Sequence, residues 1–224
     1  MTANLATFVD RYTMKHVRDY PHPVDRVWRA ITDDGEFSRW FGFQCTFDMR
    51  PGGRCQWGPD AHYFETQIGR FEPTTLVEHT AVGETDPNRW GMRFKLTERD
   101  GGTRFEFTQR FDPSVVVGYE PDRLGADTPG GPDSPWRPGF VGGFHGAWDN
   151  LGNYLDGAPL SRGQEPKNVY FGQLVDEWLW RKVNEGELTQ DVADRYADEL
   201  RSVIYWDEMN GVYREHIRET IPKK

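Results

Sequence analysis

Residues 140–156, FVGGFHGAWDNLGNYLD, constrain the fold more than any other part of the chain. Apolar side chains recur at Phe140, Phe144, Trp148, Leu151 and Leu155, at intervals of 4, 4, 3 and 4, which is one face of an α-helix. His145, Asp149, Asn150 and Asn153 fall elsewhere on the wheel. Gly157 and Pro159 supply the stop, because glycine accepts a left-handed cap and proline cannot continue the helix. Gly142, Gly143, Gly146 and Gly152 lie inside it, each costing roughly 1 kcal/mol against alanine. A helix with that penalty forms because something packs tightly on it. The upstream sequence identifies the partner as a curved antiparallel sheet, with the functional site in the space between sheet and helix.

The strand signal is clearest at 43–49. Phe43, Cys45, Phe47 and Met49 alternate with Gln44, Thr46, Asp48 and Arg50, a period of two. Pro51-Gly52-Gly53 turns the chain, and Cys55 and Trp57 continue beyond it. A two-residue loop pairs Cys55 with Asp48, apolar against polar. A three-residue loop pairs Arg50 with Arg54, Met49 with Cys55 and Phe47 with Trp57, so this register is predicted, with a glycine in the left-handed position. It sets Cys45 opposite Pro59, ~13 Å along the strand from Cys55, which excludes a disulfide.

Further strands are predicted at 63–71, 75–82, 89–98 and 103–111, with turns at Pro73, Asp86-Pro87-Asn88 and Asp100-Gly101-Gly102. In the last hairpin Trp90, Met92, Phe94 and Leu96 share a face with Phe105, Phe107, Gln109 and Phe111. Arg93, Lys95, Arg104, Glu106 and Arg110 make the opposite face wet. Before the sheet, 11–20 reads as a strand ended by Pro21. Pro23 then opens a helix striped by Val24, Val27, Trp28 and Ile31, and a second helix points Phe37, Trp40 and Phe41 inward. Residues 1–10 carry no signal.

The Pro- and Gly-rich stretch 112–139 exceeds the ~12–15 residues usual for a structureless loop. It reads either as a lid over a pocket mouth, using Tyr119, Leu124 and Trp136, or as a surface insertion. Helical periodicity returns after Pro159, with Thr189 as an N-cap, so 160–224 is an all-helical extension. Its Trp178, Trp180, Tyr205 and Trp206 suit docking on the main domain, capping the pocket or forming a homodimer. The expected organisation is α+β, with one domain over 1–159 and the extension over 160–224.

The net charge of -9 argues against nucleic-acid and anionic-membrane partners, which need a basic footprint. The mean hydropathy is -0.79, and no apolar run approaches the ~20 residues that span a bilayer. The N-terminus lacks a basic start followed by an apolar core, so a cytoplasmic protein is expected. Two cysteines make no disulfide framework, and neither CxxC nor HExxH spacing occurs, so no metal and no cofactor are expected. Nine Trp, nine Tyr and 14 Phe exceed what a core of this size requires.

Several motifs, taken in order, resemble one family. Residues 23–33 (PVDRVWRAITD), Arg39-Trp40-Phe41 and Asp48-Met49-Arg50-Pro51-Gly52-Gly53 are followed by Gly69-Arg70-Phe71-Glu72-Pro73 and Leu76-Val77-Glu78-His79-Thr80. Gly102-Thr103-Arg104 and Gly146-Ala147-Trp148 with Leu151 complete the series. Over roughly 11–157 this resembles the activator of heat-shock-protein-90 ATPase homologues, within the START-like SRPBCC superfamily. The resemblance implies a helix-grip fold, a curved sheet around a long C-terminal helix, usually with a cavity between them. The long 112–139 loop and the 160–224 extension depart from the family pattern.

On that reading the candidate ligand-binding residues are Phe43, Phe47, Met49, Trp57, Trp90, Met92, Phe94, Phe105, Phe107, Gln109, Phe144, Trp148 and Leu151. Each is either pocket wall or filled core. Aromatic walls suit flat or ring-containing ligands. His79 and His145 are the candidate acid/base residues, although no carboxylate at a diagnostic spacing completes a dyad. Cys45 and Cys55 read as small apolar fillers. The function expected first is binding of a small hydrophobic or aromatic molecule. The alternatives implied by the resemblance are a polyketide cyclase/dehydratase-like enzyme and a co-chaperone-like partner of a heat-shock-protein-90 ATPase.

Overall fold

Among the described residues eight antiparallel strands form one sheet, and three helices pack with it. The computed structural model describes residues 4–10, 12–41, 44–57, 64–110, 137–160, 183–186, 188–194, 213, 216–217 and 219–220. The elements are β1 (Thr7–Asp10), β2 (Thr13–Tyr20), α1 (Val24–Thr32), α2 (Asp34–Phe41), β3 (Cys45–Phe47) and β4 (Arg54–Trp57). They continue with β5 (Phe64–Glu72), β6 (Leu76–Thr80), β7 (Met92–Arg99), β8 (Gly102–Arg110) and α3 (Arg137–Leu155). The strands form one sheet in the order β1-β2-β8-β7-β6-β5-β4-β3. The expected strand at 11–20 thus begins at Thr13, and the four residues of β1, where no signal was read, pair with it.

Helix α1 starts after Pro23 and buries Val27, Ala30 and Ile31. Asp25 in its first turn and Arg29 in its last complement the helix dipole. The Asp33 carboxylate accepts the Glu36 N–H at 2.8 Å, capping α2 as the helix begins. Phe37, Trp40 and Phe41 are buried, and the Trp40 indole N–H donates to the Ala30 carbonyl at 2.8 Å, tying α2 to α1.

The β7–β8 hairpin turns at Asp100-Gly101, where Gly101 takes the left-handed conformation at φ 82°. Phe94 faces Phe107 and Leu96 faces Phe105, so the apolar faces agree. The β3–β4 register differs from the expected one by two residues: Phe47 pairs with Cys55 and Cys45 with Trp57. The connection leans on β5 instead of closing tightly. Gly52 N–H donates to the Ile68 carbonyl (2.8 Å), and the Gly53 carbonyl accepts the Ile68 N–H (2.9 Å). Gly52 does take the left-handed conformation, at φ 78°. A side chain at Gly53 would strike the Asp48 carbonyl oxygen. Because the strand period is two, the shift leaves the same side chains facing inward. It brings the cysteines closer than expected, two positions apart along the strands, and both thiols are free.

Helix α3 begins at Arg137, inside the stretch read as a loop, with Pro138 in its first turn. It ends in a glycine cap: Gly157 has φ 68°, and the Ala158 N–H reaches back to the Asn153 carbonyl at 2.8 Å. The bulk of the 112–139 loop and most of the 160–224 extension lie outside the described residues. Residues 190–194 are helical after Thr189, and Tyr213 is fully buried.

Candidate functional site

Strand alternation lines the concave face with Met14, His16, Arg18 and Tyr20 on β2, and Phe105, Phe107 and Gln109 on β8. Met92, Phe94 and Leu96 follow on β7, then Val77 and His79 on β6, with Trp57 and Phe47 at the far side. Across the middle of this face α3 meets the sheet directly. Trp148 lies 4.6 Å from Phe107, 5.0 Å from Phe105 and 6.0 Å from Phe94, measured between ring centroids. Phe144 stacks on Trp148 at 5.5 Å and sits 4.7 Å from Phe107. Leu151 is fully buried. The centre is therefore core. From Phe107 the rings continue through Phe94, His79 and Trp57 to Phe47, with centroids 5.1–5.6 Å apart at each step. Met49 is half-buried against the same cluster.

The rim differs. Met14, Gln109, Met92 and His79 are successive cross-strand neighbours near the strand ends, where β8 stops at Arg110 and β7 starts. Gln109 Oε1 and, toward the centre, Trp148 Nε1 are buried without a hydrogen-bond partner. His79 is buried and held by a relay. The Trp57 indole N–H donates to Thr66 Oγ1 at 3.0 Å, and Thr66 Oγ1 lies 2.9 Å from His79 Nδ1. Burial lowers the His79 pKa to about 3, so the imidazole is neutral at ordinary pH.

The second histidine lies on the other flank of α3. His145 Nδ1 is 2.9 Å from the Tyr213 hydroxyl, which also accepts the Ala6 N–H at 2.9 Å. His145 Nε2 is 3.4 Å from Asp149, and Arg18 binds the same carboxylate at 3.1 Å. Burial, then the nearby Arg18 charge, lowers His145 to about 4 against the opposing pull of Asp149. His16 stands beside them, 6.2 Å from His145 and 6.3 Å from Tyr213. It is fully buried with neither nitrogen hydrogen-bonded, and burial drives its pKa well down.

One expected site residue is absent from this wall. Trp90 precedes β7, and its ring is covered by Arg93 at 3.9 Å and Arg110 at 5.2 Å, guanidiniums of the wet face. The alternation was extended past the point where the strand begins. Phe43 lies outside the described residues. The sequence reading missed His16, Arg18, Thr66, Asp149 and Tyr213. The His145/Asp149 pair had a legible signal, since i and i+4 share a helix face. Among the described residues no group of three or more His, Cys, Asp or Glu is placed to hold a metal, and no helix is long and apolar enough to cross a membrane.

A sheet closed on a helix, with α1 and α2 packed beside it, defines an α+β protein of the helix-grip type. The chain belongs to the family of Activator of Hsp90 ATPase homolog 1-like proteins, whose model matches residues 21–156. It is similar to CalU16 from Micromonospora echinospora, at 18% identity over 93% of this chain and 87% of that one, TM-score 0.50. It is also similar to a protein from Arthrobacter aurescens, at 17% identity over 73% of this chain and 97% of that one, TM-score 0.50. No curated protein matches the chain in sequence. At these identities the structural likeness concerns the fold.

Proposed function

We propose that the protein binds a small hydrophobic or aromatic molecule at the rim of the concave face, with the 1–159 unit as the binding domain and the helical 160–224 segment docked on it. The observation that carries this reading is the row of unpartnered polar groups set among rings: Gln109 Oε1 and Trp148 Nε1 are buried with nothing to bond. Buried polar atoms are nearly always satisfied, and each one left alone costs about 1–3 kcal/mol. A ring-containing ligand with a few polar atoms removes that deficit and extends the aromatic surface. Binding is favoured over acid–base turnover because His79 touches no carboxylate among the described residues and is a poor base at pKa about 3. Cytoplasmic placement belongs to the same reading.

Native mass spectrometry of protein purified from its own host tests this, together with a thermal-shift screen of aromatic compounds. A co-purified small molecule, or a melting temperature that rises with ligand concentration, is expected. No bound species and no shift across the screen would refute the reading.

A further inference from the structure

Trp57, Thr66 and His79 form a hydrogen-bonded chain across three strands. An indole N–H only donates, so Thr66 Oγ1 accepts from Trp57 at 3.0 Å. The hydroxyl has one proton to give. The acceptor in line is His79 Nδ1 at 2.9 Å, and the competitor, the Cys55 thiol, accepts weakly. When Nδ1 accepts the hydroxyl proton, the neutral ring carries its own proton on Nε2. No described residue accepts a hydrogen bond from that Nε2–H.

The direction of this donor is fixed. Trp57 is wedged against Phe37 at 5.2 Å and Phe47 at 5.1 Å, and His79 is held edge-on to Trp57 and Phe94. Among the described residues its surroundings carry no cation to attract an anion. Arg93 and Glu78 pair with each other at 2.6 Å, and the inward Arg18 is already bound to Asp149. With its pKa lowered by burial, the imidazole itself stays uncharged.

Resting on the ligand-binding reading above, we propose that the ligand is a flat apolar ring system bearing a neutral carbonyl acceptor, a ketone or quinone oxygen, and that His79 Nε2–H selects it. Thr66 is the positioning residue, since it sets the tautomer without touching the ligand.

The test uses the full chain and three tricyclic probes of nearly equal shape: fluorenone with a carbonyl acceptor, fluorene with neither donor nor acceptor, and carbazole with a donor only. Fluorenone is expected to bind about five- to tenfold tighter than the other two, the range of one buried hydrogen bond. His79→Phe and Thr66→Val should each bring the ratio of fluorenone to fluorene affinity to about one. Long-range proton–nitrogen correlation spectra of the wild-type protein should place the His79 proton on Nε2, and Thr66→Val should redistribute it. Equal binding of fluorenone and fluorene to the wild type would overturn carbonyl selection and leave the ligand-binding reading standing. An Nδ1-protonated His79 would overturn the selection mechanism whatever binds. If none of the three probes binds, this proposal falls, and the native mass spectrometry and thermal-shift screen above decide the reading it rests on.

Discussion

Acidification should unfold this protein through its buried histidines, and the size of the effect follows from their placement. His79, 1% exposed, has its pKa lowered from 6.5 to about 3 by burial. In the unfolded chain it titrates near 6.5, so between 6.5 and about 3 the unfolded state binds the extra proton. Stability is then full above pH ~7 and falls as the pH drops through that window. For one such histidine the loss is about 1.4 kcal/mol at pH 5.5 and about 2.7 kcal/mol at pH 4.5. His145 and His16 are lowered in the same direction by burial, and each adds to the slope up to one proton. Asp19, held low mainly by its hydrogen bond to Arg104, loses its contribution only below the carboxylate range, so the window above pH 5 belongs to histidine. Against the 5–15 kcal/mol typical of a domain, this is a large share of the total stability. Urea titrations followed by tryptophan fluorescence at half-unit steps from pH 7.5 to 4.5 measure the slope directly. Two to three protons taken up on unfolding near pH 5.5 are expected, reduced by about one in His79→Gln. A flat profile from pH 7 to 5, or an unchanged slope in His79→Gln, would refute the burial argument.

Two structural variants test the packing. Tyr213→Phe removes the hydroxyl that accepts the Ala6 N–H and meets His145 Nδ1, leaving two buried groups unpaired. It should lower unfolding free energy by about 1–3 kcal/mol and speed amide exchange at Ala6; a change below ~0.5 kcal/mol would show that the contact is incidental. Gly102→Ala puts a methyl group onto the Tyr20 carbonyl oxygen and 3.0 Å from the Pro21 Cα, both backbone atoms. The strand must shift, so a loss of about 1–3 kcal/mol is expected in thermal or urea melts, and an unchanged midpoint would contradict this geometry.

Much of this arrangement was legible because side-chain direction depends on parity alone. The inward set Phe47, Cys55 and Trp57 survived a two-residue error in register, since an even shift preserves faces. What failed depended on chain ends or distant partners. Trp90 has the right parity but lies before the first paired residue of β7. Strand β2 shows no clean apolar alternation because its inward face carries His16 and Arg18, and burying them makes sense only with Asp149 and Tyr213, more than 130 residues away. Thr66 drew no notice for the same reason: its role comes from standing between Trp57 and His79 across three strands.

The glycine-rich helix is held by polar reach as well as by rings. The Tyr20 hydroxyl, kept protonated by burial, donates to the Trp148 carbonyl at 2.8 Å, and Arg18 approaches the His145 carbonyl at 3.5 Å. One turn on, Gly152 faces the Tyr20 ring, where a methyl group would lie 3.4 Å from its Cε1. These contacts from a single strand fix the rotation of α3 about its own axis. Phe144 and Trp148 must then face β7 and β8, while His145 and Asp149 face β2 and the residues around Tyr213. The same rotation separates two chemistries. On one flank of α3 Gln109 Oε1 and Trp148 Nε1 stand unpartnered, and on the other the Arg18–Asp149 pair and the Tyr213 phenol both meet His145 beside the unpartnered His16. The charges of the second are already spent on each other, so the uncharged ligand proposed above suits the first flank.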